Sequence, residues 1–364
     1  MMQEANIMQS SITMSKESKK RSSDLAAKLL KYSVGIDMGK AEFVACVSSI
    51  NFEQRFKVIA SRKFANTGKG FNLFFSWVKQ KTRLEERIVF CMESTGVYYE
   101  NLAYFLADAG CCVSVILPNK SKNYLKSLGL KSKNDKIDAQ GLAQMGAEQN
   151  LEPWRKPKQL FIELRSLTRQ RQNLQENRTA LSNQLEAFQN AKYVSPKVVE
   201  SLKSLIDSID TEVIKLEKEI KTLMEQDQEI HQKMKAICVI KGLSLISLAT
   251  IVAETLGFAQ FTNQRQLTKY AGYDVVENQS GKHVGRTRIS KKGNSRIRRI
   301  LHMPAFTAIT HGEKPFVALW NRVYERTKIK MKAYVAVQRK MLVLIYTLWT
   351  KGGTYDPEHL VMQS

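Results

Sequence analysis

The chain can be read outward from Lys133-Asn134-Asp135-Lys136-Ile137-Asp138-Ala139. Asp135 and Asp138 are three apart and lead into Ala139–Ala147, a run with the composition of a helix. At that spacing two side chains share one helix face, so both carboxylates can reach the same point. Neighbouring carboxylates repel unless a cation lies between them. Oxygen-only ligands suit Mg²⁺, with Mn²⁺ as its substitute. Such a pair alone is common on solvated helix surfaces, and it gains meaning from the residues around it.

Upstream, two apolar stretches each end on an acid. Tyr32–Ser48 reads as one long strand, with Ser33-Val34-Gly35-Ile36 landing on Asp37 and Ala41–Val47 continuing it. A turn at Ser48–Asn51 and a second strand near Arg55–Ser61 complete a hairpin, followed by a helix over Gly68–Lys79. Arg87–Glu93 is apolar enough to be central in a sheet, and it ends on Glu93. Helix Tyr98–Ala109, the stop at Gly110 and strand Cys112–Leu117 make a βαβ unit. A lysine-rich loop (Lys120, Lys122, Lys126, Lys131, Lys133) then leads to the Asp135 helix. In an α/β sheet, ligands gather at the carboxyl ends of strands. Asp37, Glu93, Asp135 and Asp138 therefore form a candidate cluster for a pair of Mg²⁺ ions arranged for phosphodiester chemistry, in an α/β domain of RNase H-like order. In the plainer alternative Asp37 starts a turn and Glu93 caps a helix.

Downstream, Leu160–Ile230 is long, polar and almost free of Gly and Pro. Ile206, Ile209, Val213, Leu216, Ile220 and Leu223 alternate by three and four as a coiled-coil seam. Leu167, Leu174, Leu181 and Phe188 recur every seven. With a break near Val194-Ser195-Pro196, the expectation is an antiparallel helical hairpin that carries no chemistry. From Ala236 the chain turns basic. Gly281–Arg299 holds eight Lys or Arg and no acid. Ser280 precedes Gly281 on permissive backbone. Lys282, Arg286 and Arg288 beside it, with Lys291, Lys292 and Arg296, are candidates for holding phosphate. Serine attack on phosphorus competes here with a solvated turn on a nucleic-acid-binding surface. Ser290 and Ser295 are rival serines, Ser295 reading as a helix-start residue. His283 does not supply a hydrolase triad. The tail Lys314–Trp349 reads as helical, with Tyr324, Lys328, Lys330, Lys332, Arg339 and Lys340 among apolar residues.

Composition agrees. The 364 residues carry a formal net charge of +23, which calls for a polyanionic partner, nucleic acid first. No apolar run reaches the roughly 18–20 residues of a membrane span, because Lys241 and Glu254 bracket the longest candidate. With no signal-peptide core and five scattered cysteines lacking metal-ligand spacing, the expectation is a reducing cytoplasm, in association with the nucleoid.

Val34-Gly35-Ile36-Asp37 with Lys40, Met92-Glu93-Ser94-Thr95-Gly96-Val97-Tyr98, Asn134-Asp135-Lys136-Ile137-Asp138-Ala139, Tyr270-Ala271-Gly272, Ser280-Gly281 and Ile289-Ser290-Lys291-Lys292-Gly293-Asn294 occur in this order. Together they resemble the DEDD transposases of the IS110 insertion-sequence family, which includes the Piv-type DNA invertases. The resemblance runs from about Tyr32 to the C-terminus. It implies a RuvC-like domain holding Asp37, Glu93, Asp135 and Asp138 around Mg²⁺, a coiled-coil insertion, and a C-terminal transposase domain whose serine, here Ser280, attacks DNA. It also implies a homo-oligomer (dimer to tetramer) and a structured bridge RNA that pairs with donor and target DNA. Strands would then be exchanged through phosphoserine intermediates. The family's proline after the Tyr-Ala-Gly turn is absent (Tyr273-Asp274-Val275), and a common leucine is Ile297; neither change touches the acids or Ser280.

The expected organisation is a basic flexible extension (1–30), a RuvC-like domain (31–155), a coiled-coil hairpin (156–235) and a mainly α-helical transposase domain (236–364). Three other readings compete. A metal-dependent nuclease or junction resolvase would use the acids alone. An actin-like ATPase is suggested by Gly35-Ile36-Asp37-Met38-Gly39, but it lacks the second phosphate loop. A non-catalytic RNA-binding protein would need no acid quartet.

Overall fold

The computed structural model describes residues 28–83, 86–94, 96–129, 134–276, 279–280, 283–285 and 287–358, with backbone alone at 279–280 and 283–284. The basic extension falls on 1–27, outside the described residues, while Leu29 and Leu30 already belong to the first strand. The chain forms two compact units, Met1–Lys156 and Pro157–Ser364.

In the first unit, β1 (Leu29–Met38), β2 (Glu42–Asn51) and β3 (Phe56–Ala65) form an antiparallel meander. β4 (Ile88–Glu93) and β5 (Cys112–Ile116) continue the sheet in parallel on the other side of β1, giving the order β3-β2-β1-β4-β5. The expected single strand over Tyr32–Ser48 is thus two strands. The chain reverses at Gly39, whose amide bonds to Glu42 O at 2.9 Å. A Cβ at Gly39 would lie 2.7 Å from that oxygen, so the turn needs glycine. The signal was weak because one glycine, with no Asn-Gly or Asp-Gly pair, interrupts two runs of the same character. The mixed α/β architecture and strand order agree with the RNase H-like expectation.

The sheet has two different faces. Alternation along β1 sends Val34 and Ile36 to one side, where they meet Phe43, Phe74, Phe90 and Leu102 under helices α1 (Gly68–Lys81) and α2 (Glu100–Asp108). Ser33, Gly35 and Asp37 point to the other side. That side is covered by α4 (Asp135–Glu148), which is preceded by α3 (Pro118–Ser127). The helix α3 replaces the first part of the expected lysine-rich loop. Pro118 occupies its first turn, where a missing N–H costs nothing, and its lysines point to solvent. Lys131 and Lys133 lie outside the described residues.

The second unit is helical. α5 (Gln159–Gln189) and α6 (Pro196–Glu225) run antiparallel, tied by Arg171–Glu217 and Arg178–Asp210. The root of this hairpin (Phe161, Leu164, Ile220, Leu223, Met224) shares one core with α7 (Gln228–Ile237), α8 (Leu245–Glu254) and the C-terminal helices. After α9 (Gln264–Tyr270), two helical stretches are interrupted. α10 (Ser295–Ile300) and α11 (His302–Thr310) meet at Leu301, where Pro304 has no N–H to offer the Ile300 carbonyl four residues earlier. α12 (Lys314–Thr327) ends at Lys328, which has φ 52° in the left-handed region, before α13 (Lys330–Lys351) begins.

A restrictive position in this packing is Gly35, where a Cβ would lie 2.1 Å from both Ala139 O and Ala143 N. Backbone on both sides leaves nothing flexible to yield. Gly35→Ala should therefore cost about 3 kcal/mol, the upper end of ordinary overpacking. Gly68→Ala, with open space around it and a helical site, should be neutral or slightly stabilising. Chemical denaturation of the two variants checks the pair; equal midpoints would show that α4 is not held against β1 as described.

Candidate active site

The acids of the first unit are placed by register. β1 and β4 are parallel, with Gly35 opposite Cys91 and Ile36 opposite Met92. One step further along the same register, Asp37 stands level with Glu93, about 4.8 Å apart in backbone terms. Both lie at the carboxyl ends of their strands and on the same face, since cross-strand partners share a face. That face is the one α4 crosses. Gly35 touches Ala139 and Ala143, whereas Gly146 approaches Ser33 Oγ and Cys91 Cβ, so α4 runs antiparallel to β1 with its first turn over the Asp37 end. Asp135 and Asp138 sit in that first turn. Asn134 caps it, its side chain accepting from Ile137 N at 2.9 Å.

The four are not equivalent. Asp37, Glu93 and Asp138 are half-buried, and Asp135 is exposed. Asp135 lies within electrostatic reach of Lys63 on β3, a strand whose Lys63 is level with Val44, itself level with Asp37. Lys63 also pairs with Glu42 at 2.5 Å. Glu93 is oriented from behind: Ser121 Oγ, fully buried on α3, donates to Glu93 Oε2 at 2.6 Å. Among the described residues no group of three His, Cys, Asp or Glu side chains closes tightly enough to enclose a metal ion. The edge presents carboxylates to one region without converging them on a single point.

In the second unit the serine region is a ribbon. β6 (Val275–Val276) pairs with β9 (Arg288–Ile289), and β7 (Gln279–Ser280) with β8 (His283–Val284), both antiparallel. Ser280 is opposite His283, at the end of the ribbon away from its root. Its side chain, and all of Lys282 and Arg286, fall outside the described residues. Arg288, Lys291 and Lys292 are exposed, and Lys291 has φ 52°.

The root of that ribbon is tightly built. Ser290 Oγ donates to Asp274 and accepts from Lys292 N at 3.2 Å. Lys291 N bonds to Gly272 O at 3.1 Å, and Asn294 N to Tyr270 O at 2.7 Å. Gly293, at φ 147°, passes so close that a Cβ would lie 2.3 Å from Tyr270 O. Asn294, rather than Ser295, caps α10, accepting from the amides of Arg296 and Ile297. Its Nδ2 donates at 2.7 Å to Glu254, the last residue of α8.

Glu254 is the residue that sequence reasoning missed. It was visible only as the lone acid closing an apolar helix. Its side chain is fully buried and takes both Arg169 Nε (2.7 Å) and Nη2 (2.9 Å), with Arg296 Nε at 4.0 Å. Arg296 thus turns toward Glu254. Burial alone would raise the Glu254 pKa, but the hydrogen bonds and charges of Arg169, Asn294 and Arg296 hold the carboxyl below the usual carboxylate range.

Comparison with known proteins gives two matches, the first of which runs past the end of the first unit into the helical hairpin. The sequence model of the IS110 DEDD transposase domain matches residues 34–193, and that of the transposase IS116/IS110/IS902 family matches 234–321. The chain is 26% identical over 325 residues to the pilin gene-inverting protein of Moraxella bovis, covering 89% of this chain and 97% of that one. It is 23% identical over 271 residues to the transposase of insertion sequence element IS1111A of Coxiella burnetii, covering 68% and 73%. Among solved structures, Thermus thermophilus RuvC bound to a Holliday junction is 13% identical, with a TM-score of 0.27, covering 34% of this chain and 99% of RuvC. That likeness is too faint to argue from. The two units and their matches define an enzyme of the transposase class, acting on DNA. The chain belongs to the IS110 family of transposases.

Glu254→Gln should destabilise the second unit by about 2 kcal/mol at pH 7, the scale of hydrogen bonds to a buried charge. The carboxyl pKa is depressed on folding, so its contribution is full above the unfolded value of about 4.3 and is lost as pH falls through the lower folded value. The gap between denaturant melts of wild type and variant should therefore be constant above the unfolded value and narrow steadily as pH falls below it; a gap that does not narrow on acidification would mean the carboxylate charge is not what stabilises the root.

Proposed function

We propose that the protein is the recombinase of an insertion sequence, cutting and rejoining donor and target DNA under the guidance of a structured RNA. The observation that carries this reading is the parallel register that sets Asp37 beside Glu93 under the first turn of α4, where Asp135 and Asp138 begin. An all-carboxylate donor set fits a hard cation such as Mg²⁺ or Mn²⁺ better than a thiophilic one. Bound among those residues, the cation would neutralise charge on the phosphodiester undergoing exchange.

The chain's own groups supply the rest. Ser121 holds one oxygen of Glu93, leaving the other directed by the strand end. Asn134 fixes the start of α4 and with it the direction of both aspartates. The Ser280 hydroxyl, carried on the ribbon, attacks phosphorus. A P–O bond to serine forms as the bond to the departing 3′ oxygen breaks; the hydroxyl proton leaves to solvent and the departing oxygen takes one up. Attack by a 3′-hydroxyl of the other duplex reverses the step and releases serine. Arg288, Lys291 and Lys292, with Lys282 and Arg286, suit the phosphate contacts this requires, while Arg296 is committed to Glu254. The helical hairpin α5–α6, with its heptad-spaced apolar residues, suits a coiled-coil contact in a homo-oligomer. No helix among the described residues is long and apolar enough to cross a membrane. A cytoplasmic, nucleoid-associated location follows from the proposed substrates.

A second reading, a RuvC-like nuclease or junction resolvase without serine chemistry, is favoured by the acids lying wholly within the first unit. Ser280→Ala separates the two. In the proposed mechanism it abolishes a covalent protein–DNA adduct trapped by denaturation, and recombination falls to background; an adduct that survives the change excludes Ser280 as the nucleophile, and undiminished metal-dependent cleavage with no adduct in wild type or variant selects the nuclease reading. Digesting the co-purified RNA should likewise abolish joining of a donor–target pair. Undiminished joining after digestion would remove RNA from the mechanism.

Ser121→Ala tests the acid edge separately. Losing a residue that orients a metal-binding carboxylate should raise the Mg²⁺ concentration needed for half-maximal strand joining by about 10–100-fold, with recovery in Ser121→Thr. An unchanged Mg²⁺ requirement would mean that the contact to Glu93 is packing only.

A further inference from the structure

Three C-terminal helices carry a second basic surface that the acids and Ser280 leave unused. Phe306 on α11 lies 5.9 Å from Tyr334 on α13, inclined by 32°. Tyr334 lies 6.0 Å from Trp320 on α12. Trp320 in turn stacks on Tyr324, at 4.9 Å and 19°. Four rings thus form one continuous ladder across three helices. Its inner member, Trp320, is half-buried and packs against the core of the unit, of which Phe316 and Val337 on the same helices are fully buried parts, and the other rings lead outward from it. Phe306 is 44% exposed, and the apolar neighbours Met303 (61%), Ile329 (46%) and Met331 (58%) stand out further into solvent. At the far end the Lys328 ammonium sits 5.9 Å over Tyr324, positioned by the left-handed turn between α12 and α13.

The charge around the ladder is one-sided. From Arg322 to Lys340 there are seven Lys or Arg and one acid, Glu325, which is paired with Lys328. Aromatic rings beside apolar residues within a basic field match one chemistry well. Unpaired bases stack on rings while their backbone phosphates meet the cations, and every base has a face to stack. A closed duplex offers the cations its phosphates but keeps its base faces internal. We infer that the Phe306–Tyr334–Trp320–Tyr324 ladder binds unpaired bases of single-stranded DNA, the form exposed when strands of the substrate are opened. The inference rests on DNA as the substrate and on neither the metal nor the serine reading.

The test is binding by the full chain in Mg²⁺-free buffer, with a labelled 12-nucleotide oligo(dT) and a 12-base-pair duplex followed by fluorescence anisotropy. Phe306→Leu and Tyr324→Leu keep apolar bulk and remove the ring face. Each should weaken oligo(dT) binding by roughly five- to a hundredfold and leave duplex binding within about twofold. Oligo(dT) should also quench tryptophan fluorescence in the wild type, and Trp320→Phe should lose that quenching. The same results in an Asp37→Asn background keep the outcome independent of the acid edge. Equal losses on duplex and single strand, no loss at all, or quenching that persists in Trp320→Phe would overturn the proposal. So would an oligo(U) of equal length that depends on the ladder and binds tenfold tighter than oligo(dT), which would assign the surface to RNA. Unchanged denaturation midpoints confirm that the leucine variants fold; if one does not fold, the other and Trp320→Phe decide.

Discussion

The first unit depends on how closely a helix can lie on a strand. At Gly35 there is no side chain, and Ala139 and Ala143 present only methyl groups, so the α4 backbone meets that of β1 directly. Gly146, about one turn beyond Ala143, comes similarly close to the side chains of Ser33 and Cys91. A side chain at Gly35 would push α4 off β1 by roughly an ångström or more before ordinary contact is restored. Mg²⁺ demands oxygens at about 2.0–2.1 Å in near-ideal geometry, a tolerance far smaller than that displacement. Under the proposed metal-binding role, the run of small residues in α4 would serve the chemistry as well as the packing. Most of its buried residues are alanine or glycine, with Leu142 and Met145 the large apolar side chains among them.

The second unit solves a similar problem with charge. The ribbon bearing Ser280 has only two-residue strands, too few ladder bonds to hold a direction by themselves. Its root is fixed instead by backbone bonds between Tyr270–Gly272 and Lys291–Asn294, locked from below by the Asn294–Glu254–Arg169 chain. Removing one member of that chain leaves polar groups in a dry setting, which is costly. The Tyr-Ala-Gly and Ile-Ser-Lys-Lys-Gly-Asn motifs, distant in sequence, are two sides of one joint.

What could be read in advance follows from these physical differences. The apolar strands ending on Asp37 and Glu93 were legible because burial on both faces leaves an unbroken hydrophobic run. The division between β1 and β2 was not, since a tight turn at Gly39 changes direction without changing composition. Helix α3 was hidden by its lysines, which mark solvent exposure and say little about backbone. The ribbon over 275–289 reads as loop for the same reason: short, basic, glycine-punctuated strands carry no periodicity. Ser121 and Glu254 were invisible because each gains its role from a partner 28 or 40 residues away, and a single sequence does not display such pairings.

The same residue type is used in opposite ways in the two units, and the contrast separates chemistry from scaffolding. Glu254 is fully enclosed and satisfied by two guanidinium contacts and an amide, so nothing further can bind it without dismantling the joint. Asp37, Glu93 and Asp138 are half-buried at a strand edge, and Asp135 is exposed. Water at that edge screens their mutual repulsion in the absence of a cation, which a dry interior would not do. Half-burial also leaves one side open for a hydrated ion and a phosphodiester to enter together. Glu254 is enclosed by its partners, whereas under the proposed function the strand-edge acids stand where solvent can be replaced by substrate.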